Sequence, residues 1–425
     1  MTPGLRAMRP LAGVLAAMGL STTGSRVSTV VLPWFVLVTT GSATQTGLVA
    51  FCEMAPYVTA KAFSGPLIDR SGPRVVSWST DVASCLAAVA LPVLHAGRAL
   101  PFWLLLILVA VIGAARGPGD LAKEVMVPEA ADRCGVPLER ATGLSGVTER
   151  LAFTVGPALG GSLSALVGAL TCLFVIAGCF ALGSVTTVLA LPRGMGRPAS
   201  APEGEPGYWR RFGEGWRFLR ADPLLLTVIV TVGITNALNA AFQTVFLPVW
   251  ARESGHGPTA IGLNSSVGGV AAVLTGLVAA VVAHRMRRRT LFFVGFLVAG
   301  APRFLILAVD APLWAVVAVF ALSGFGAGFL NPILSAVCFE RIPRQLLGRV
   351  NALGDSLGWA GIPVGGLLGG AAVAAVGLVP ALLTAGTAFF LTTNLAGLRP
   401  EWREMDRRRS GAEKQSARAK DTTPT

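Results

Sequence analysis

Charge is scarce in this sequence. Asp, Glu, Lys and Arg make up 13% of its 425 residues, against roughly 25% in soluble domains, which excludes an ordinary water-facing surface. Histidine occurs three times, at His95, His256 and His284, each in or beside a connecting segment, which excludes a relay of histidines moving protons through a core. The six cysteines, Cys52, Cys85, Cys134, Cys172, Cys179 and Cys338, lack metal-ligand spacing, and five lie inside apolar stretches. They are read as small packing residues, with no metal and no cofactor expected. No Gly-x-x-x-x-Gly-Lys-Ser/Thr loop occurs, and the polar segments are too short for a nucleotide-hydrolysing domain. Nor is there a cluster of acids or nucleophiles suited to catalysis, so no catalytic residue is assigned and the chain is not expected to be an enzyme.

What the sequence has instead is apolar length. Hydrophobic residues reach 53% and the mean hydropathy is +0.65, and runs near the roughly 18 to 20 residues needed to cross a bilayer recur with short polar connectors between them. The runs predict about twelve transmembrane helices, at about 11–38, 44–65, 74–96, 100–122, 143–167, 169–191, 224–248, 258–283, 290–309, 312–338, 346–374 and 376–398. The first follows Arg6 and Arg9 as a secretion signal would, but it continues past Arg26 to Val38 and leads directly into a second span, so it is read as retained.

The formal net charge of +13 would suit a nucleic-acid partner if it formed a patch, but it alternates with the spans. Of 35 Lys and Arg, 27 fall in the N-terminus, in every second connector and in the tail, while the other loops hold only Arg98 and Arg252. This bias places both termini in the cytoplasm of a multi-pass cell-membrane protein and leaves no need for nucleic acid. The Pro-, Gly- and Arg-rich stretch 192–223 divides an N-terminal six-helix bundle, 1–191, from a C-terminal one, 224–400. Residues 401–425 are read as a disordered basic cytoplasmic tail.

The chain also repeats itself. Thr29-Val30-Val31-Leu32-Pro33 matches Thr244-Val245-Phe246-Leu247-Pro248 at an offset of 215, and so do Gly47-Leu48 with Gly262-Leu263, Arg70 with Arg285, and Arg74 with Arg289. Later, Arg140 matches Arg349, Gly160-Gly161 matches Gly369-Gly370, and Gly168 matches Gly377, now at an offset of 209. Each half is therefore expected to be the same unit: an all-α membrane protein of two pseudo-symmetric six-helix bundles, whose rocking gives alternating access to a cavity between them.

Between the second and third spans, Gly65-Pro66-Leu67-Ile68-Asp69-Arg70-Ser71-Gly72-Pro73-Arg74 resembles the Gly-x-x-x-Asp-Arg-x-Gly-Arg-Arg loop of the major facilitator superfamily. Val155-Gly156-Pro157-Ala158-Leu159-Gly160-Gly161 in the fifth span is similar to the Gly-Pro-x-x-Gly-Gly element of that superfamily's drug-proton antiporters. Further stretches, among them Pro137-Leu138-Glu139-Arg140-Ala141 and Glu214 to Pro223, resemble a bacterial efflux subgroup of macrolide-efflux and enterobactin-exporter-like carriers. The resemblance spans about residues 10 to 400. It implies the major facilitator fold, a gate in which Gly65, Asp69, Arg70, Gly72 and Arg74 act with Asp120, and export assisted by Gly156, Pro157, Gly160 and Gly161. Two departures stand out: Pro73 replaces a basic residue, and the second-half copy carries Ala280 and His284 where Gly65 and Asp69 have their counterparts.

Charges at bilayer depth cost roughly 2.5 to 3.5 kcal/mol each on insertion scales, so each needs a partner or a task. Arg26 and Glu53 lie at similar depths and are expected to pair, with Glu53 the proton-carrying acid or, alternatively, half of a static ion pair. Asp81 is a further coupling candidate or a structural partner for the loop arginines. Arg116, Asp120, Lys123, Glu124, Glu149 and Arg150 form an expected inner network in which Arg70 or Arg74 meets Asp120. The antiporters' arginine at the middle of the fourth span has no expected counterpart, since Leu104, Leu106 and Leu108 fill that region. Asn236, Asn239 and Gln243, at i, i+3 and i+7, with Thr22 and Thr29, are candidates either for lining a substrate cavity or for holding helices together.

The expected function is a monomeric secondary exporter of a small amphipathic or hydrophobic molecule, working by proton antiport through the bilayer. Arginine outnumbers lysine 31 to 4 and Ala and Gly are abundant, pointing to a GC-rich bacterial genome and an antibiotic-like or secondary-metabolite cargo. An uncoupled facilitator, an uptake carrier and a non-transporting sensor with the same fold remain alternatives.

Overall fold

The computed structural model describes residues 8–192, 194–196, 208–282, 288–309, 311–342 and 347–398. Among them there is helix and no strand, as a chain must be whose backbone donors and acceptors have no water to bond. The helices are α1 (Arg9–Thr40), α2 (Ala43–Phe63), α3 (Gly65–Ser71), α4 (Pro73–Ala96), α5 (Phe102–Cys134), α6 (Leu138–Val167), α7 (Ala169–Ala190), α8 (Tyr208–Ala221), α9 (Pro223–Ala241), α10 (Leu247–Glu253), α11 (Gly257–Val282), α12 (Arg288–Ala299), α13 (Ala301–Ala308), α14 (Leu313–Arg341), α15 (Leu347–Val376) and α16 (Leu378–Leu398).

Nine segments among the described residues are long and apolar enough to cross a membrane, and a shorter apolar segment runs Phe292–Ala308. Helices α1 and α2 fill the first two expected spans but are more polar, carrying buried Ser21, Ser25 and Ser28, and Thr46 and Glu53, respectively. Their boundaries are set by local chemistry. α1 stops where Gly41 adopts φ 71°, and α2 starts where Ser42 caps the Gln45 amide at 3.3 Å. A five-residue π turn, Phe242–Phe246, follows α9 just ahead of Pro248. Proline lacks an amide hydrogen and crowds the carbonyl four residues back, here Thr244, so the helix widens.

Contacts group the chain into one unit of Met1–Glu205, Ala237–Gly269 and Trp359–Ala381 and another of Pro206–Asn236, Val270–Gly358 and Leu382–Thr425. Within the first, the repeated glycines meet. A Cβ on Gly47 of α2 would strike the Gly366 carbonyl of α15, and one on Gly370 the Ala43 carbonyl. At the repeat-related positions, a Cβ on Gly262 of α11 would strike the Pro157 carbonyl of α6, and one on Gly161 the Pro258 carbonyl. The two offsets carry Gly47 onto Gly262 and Gly370 onto Gly161, so the sequence repeat is realised as two equivalent backbone-to-backbone contacts.

Within the second unit, Asp222 caps the start of α9 through the Leu224 and Leu225 amides, at 3.1 and 3.2 Å, and takes Arg341 on both oxygens at 2.7 Å. Leu219 at the end of α8 is buried with Leu225, Ile342, Val350 and Leu353. The expected tail 401–425, residues 197–207 of the expected linker, and His284, Arg285 and Arg287 of the second-half loop copy lie outside the described residues.

Candidate functional site

The first unit gathers most of the intramembrane charge, and helix α5 organises it. On one side α5 packs against α2 through Gly113 and Gly117. A Cβ at Gly113 would fall on the Glu53 carbonyl, and one at Gly117 on the Tyr57 carbonyl and the Lys61 amide. The missing side chains let two backbones touch, the small-xxx-small mode of helix association in bilayers.

That approach brings three pairs of side chains together, every fourth residue on both helices. Glu53 Oε1 takes Arg116 Nη1 at 2.7 Å, Asp120 Oδ2 accepts the Tyr57 hydroxyl at 3.2 Å, and Glu124 Oε1 takes Lys61 Nζ at 3.1 Å, each pair 63 residues apart. Burial falls along the row. Glu53 and Arg116 are buried, Asp120 is half-buried, and Glu124 is exposed. Arg116 also lies over the Tyr57 ring at 5.2 Å, while Trp359 of α15 stacks on Tyr57 at 6.0 Å and faces Lys61 at 5.3 Å.

Two expectations are corrected here. Glu53 pairs with Arg116, not with Arg26. Arg116 is also no inner-end residue: α5 runs to Cys134 where the expected span ended at 122, so Arg116 lies about 21 Å into a 33-residue helix. The mid-helix arginine that the leucines were expected to replace is therefore present, about two turns beyond Leu108.

Arg26 of α1 is half-buried and its guanidinium lies over the Phe153 ring of α6, 3.2 Å from the centroid, with Nε making no hydrogen bond. Gly156 makes room for it, since a Cβ there would strike the Arg26 Cβ, and Gly160 rests on Val27 and Val30. The glycine element of α6 thus has two faces, Gly156 and Gly160 toward α1 and Pro157 and Gly161 toward α11.

A second buried pair lies on another face of α5. Lys123, 1% exposed, donates to Asp81 Oδ1 of α4 at 2.9 Å, and Ser21 of α1 donates to Oδ2 at 3.0 Å. Asp81 was expected to serve the loop arginines; Lys123 takes that place because α4 and α5 bring both to the same level in the packed bundle. With both oxygens engaged, the pair holds α1, α4 and α5 together. We expect Lys123→Met alone to cost about 3 to 5 kcal/mol, because it strands a buried carboxylate, and Asp81→Asn with Lys123→Met to recover most of it. Unfolding midpoints of the purified protein in detergent check this.

The loop motif behaves differently from its expected role. Gly72 adopts φ 83° between α3 and α4, where only glycine is unstrained. Asp69 and Arg70 are exposed, and Gly65 faces open space rather than a close helix contact. Arg74 does not meet Asp120; it donates to the carbonyls of Val188 and Pro192 at 2.8 and 3.0 Å, a cation on the C-terminal end of α7.

Of the neutral candidates, Thr29 bonds the Arg26 carbonyl of its own helix at 2.7 Å, and Thr22 is half-buried. Asn236 Nδ2 donates to the Gly358 carbonyl at 3.0 Å, which ties helices together. Asn239 is half-buried, and Gln243 is exposed inside the π turn, where the regular register that would align it with Asn236 ends. Tyr57, Lys123 in its pairing and Trp359 were not anticipated. The signal for the first was two rows at the same four-residue spacing, Glu53-Tyr57-Lys61 and Arg116-Asp120-Glu124, beside Gly113 and Gly117.

Apolar spanning helices, glycine contacts at repeat-related positions and buried ion pairs define a multi-pass membrane transporter. The chain belongs to the Major Facilitator Superfamily, whose model matches residues 14–242 and 229–421. It is 33% identical to the multidrug efflux pump Tap of Mycobacterium tuberculosis, over 92% of this chain and 94% of that protein. It is 30% identical to the Tap pump of Mycolicibacterium fortuitum, over 93% and 97%, and 21% identical to macrolide efflux protein A of Streptococcus pyogenes, over 92% and 96%. In fold it is similar to a mutant form of the nucleoside transporter NupG, with a TM-score of 0.75 at 13% identity over 93% of this chain and 99% of that one. It is also similar to a bacterial homologue of the lysosomal transporter Spinster, with a TM-score of 0.69 at 14% identity over 96% and 98%.

Proposed function

We propose that this chain is a secondary active exporter of small, drug-like or metabolite-like molecules that works by alternating access and proton antiport. The observation that carries export is similarity along almost the whole chain to pumps named for multidrug efflux, at 30 to 33% identity. Proton coupling is supported by Glu53, an acid buried at membrane depth whose charge is balanced by Arg116. A carboxylate in that position changes the balance of the site when it takes up a proton, because Arg116 is then left without its counter-charge.

In this reading twelve spans form two six-helix bundles, 1–191 and 224–400, joined by 192–223, with both termini and the tail 401–425 in the cytoplasm. Cargo binding with Glu53 ionised lets the α2–α15 and α6–α11 glycine contacts part, and protonation of Glu53 from outside then releases Arg116, expels the cargo and lets the contacts close again. The cargo enters from the cytoplasm, and the proton returns inward as the cargo leaves. Asp69, Arg70 and Arg74 act at the inner surface, with Arg74 fastening α4 to the end of α7. The protein acts as a monomer.

The test is drug accumulation in a bacterial host stripped of its own pumps. Expression of this chain should lower the cellular content of at least one drug in a panel of neutral, cationic, anionic and zwitterionic compounds severalfold, and a protonophore should restore it to the level of cells without the chain. Unchanged accumulation rejects active export and is what an uncoupled facilitator gives; lowered accumulation that ignores the protonophore rejects proton coupling and points to another driving gradient.

A further inference from the structure

Resting on the export reading, a charge count around α5 leaves two side chains over. Glu53 and Arg116 neutralise each other at 2.7 Å, as do Lys61 and Glu124 at 3.1 Å. Among the described residues, no carboxylate comes within ion-pair distance of Arg26, which rests on an aromatic face. Asp120 and Glu149 act on it only at longer range. Asp120, in turn, is bonded by a neutral hydroxyl, that of Tyr57, and meets no cation within ion-pair distance among the described residues. The site as a whole is thus near neutral, yet it holds one cation and one anion apart.

Both are set to meet a ligand. Arg26 and Asp120 are half-buried, not sealed, and the ring beneath the guanidinium, Phe153, is 43% exposed. A half-buried charge without a counter-ion is costly at membrane depth, and the cost falls when an opposite charge arrives. Phe153 places a flat apolar face beside Arg26, and Trp359, exposed and stacked on the Tyr57 that bonds Asp120, places another near the second charge.

We propose that Arg26 and Asp120 are the two poles of the cargo site, and that the cargo class is amphoteric: aromatic molecules carrying an acidic group for Arg26 and a basic one for Asp120. A molecule with only one charge would satisfy one pole and leave the other exposed to a ligand that cannot answer it. Discrimination therefore comes from the unanswered pole as much as from the bond formed. Arg26 is in this account a cargo residue and not a partner of Glu53.

Three xanthene dyes of nearly equal shape test this: rhodamine B, with both an acid and a cation, rhodamine 6G, an ester with the cation alone, and fluorescein, an anion. Efflux is measured from energised cells or proteoliposomes containing the full chain. Rhodamine B should leave on the order of tenfold faster than either of the others. Arg26→Gln should bring it down to the rate of rhodamine 6G without slowing the ester, Asp120→Asn should bring it down to the rate of fluorescein without slowing the anion, and Arg26→Lys should keep most of the preference. Equal export of all three dyes overturns the amphoteric site while leaving export standing, and so does an Arg26→Gln variant that slows every dye alike. That second result would mean that Arg26 exchanges with Arg116 for Glu53 during the cycle. Export of none overturns the amphoteric site, and the drug-accumulation assay decides export separately.

Discussion

Glu53→Gln should abolish proton-driven export while leaving exchange of cargo across the membrane in place. The side chain is buried, its ion-pair partner among the described residues is Arg116 at 2.7 Å, and glutamine keeps the shape and one hydrogen-bond acceptor for the guanidinium while removing the titratable proton. If Glu53 carries the proton, the variant cannot be driven by a pH gradient, yet it should still swap labelled for unlabelled cargo. The measurement is a pair of assays on the same proteoliposomes: uptake against an imposed pH gradient, expected to fall by on the order of a hundredfold, and counterflow at equal pH, expected to persist. Retained pH-driven transport would sink the proposal. Stability needs its own control, since an unmatched Arg116 destabilises by about 3 to 5 kcal/mol. Glu53→Gln combined with Arg116→Gln should recover thermal stability in detergent without recovering coupling.

Much of the architecture was legible because the relevant physics is one-dimensional. A bilayer demands apolar length, so spanning segments can be read along the chain. The repeat was legible for the same reason, and its glycines proved to be the contact residues: Gly47 with Gly366 and Gly370, Gly262 with Pro157 and Gly161. Partner choice in the charged site was not legible, because depth along a helix leaves azimuth undetermined. Arg26 and Glu53 share a level, but α1 directs Arg26 onto Phe153 while α2 presents Glu53 to α5. The misjudged end of α5 compounded this by moving Arg116 away from the middle. The arginines of the loop motif were assigned to an acid by resemblance, whereas Arg74 found the bare carbonyls at the end of α7, groups no side-chain pattern advertises. Lys123, an unusual residue to be 1% exposed, was a legible anomaly whose partner Asp81 required the fold.

Gly161→Val should strongly impair transport. A Cβ at Gly161 would meet the Pro258 carbonyl at 2.5 Å and the Cα and nitrogen of Gly262 at 2.8 and 2.9 Å, all backbone, so no flexible side chain can move aside. Only separation of α6 from α11 relieves the overlap, at about 1 to 3 kcal/mol of lost packing. That is a small loss for folding but a large one for an equilibrium between two transport states, where about 1.4 kcal/mol is a tenfold shift in population. The Ser266 hydroxyl, which donates to the Thr154 carbonyl at 2.7 Å across the same contact, reports the separation. In a background without native cysteines, Ser266→Cys should react with a membrane-impermeant maleimide added outside at least severalfold faster when Gly161→Val is present. Export should fall correspondingly. Gly143→Val in the same helix, where a Cβ meets nothing within 4 Å, should leave both labelling and export near their starting values. Gly47→Val should reproduce the effect at the repeat-related contact, because its Cβ would strike the Gly366 carbonyl there. If only one of the two glycines matters, the two repeat-related contacts do not part together, and closure belongs to a single helix pair.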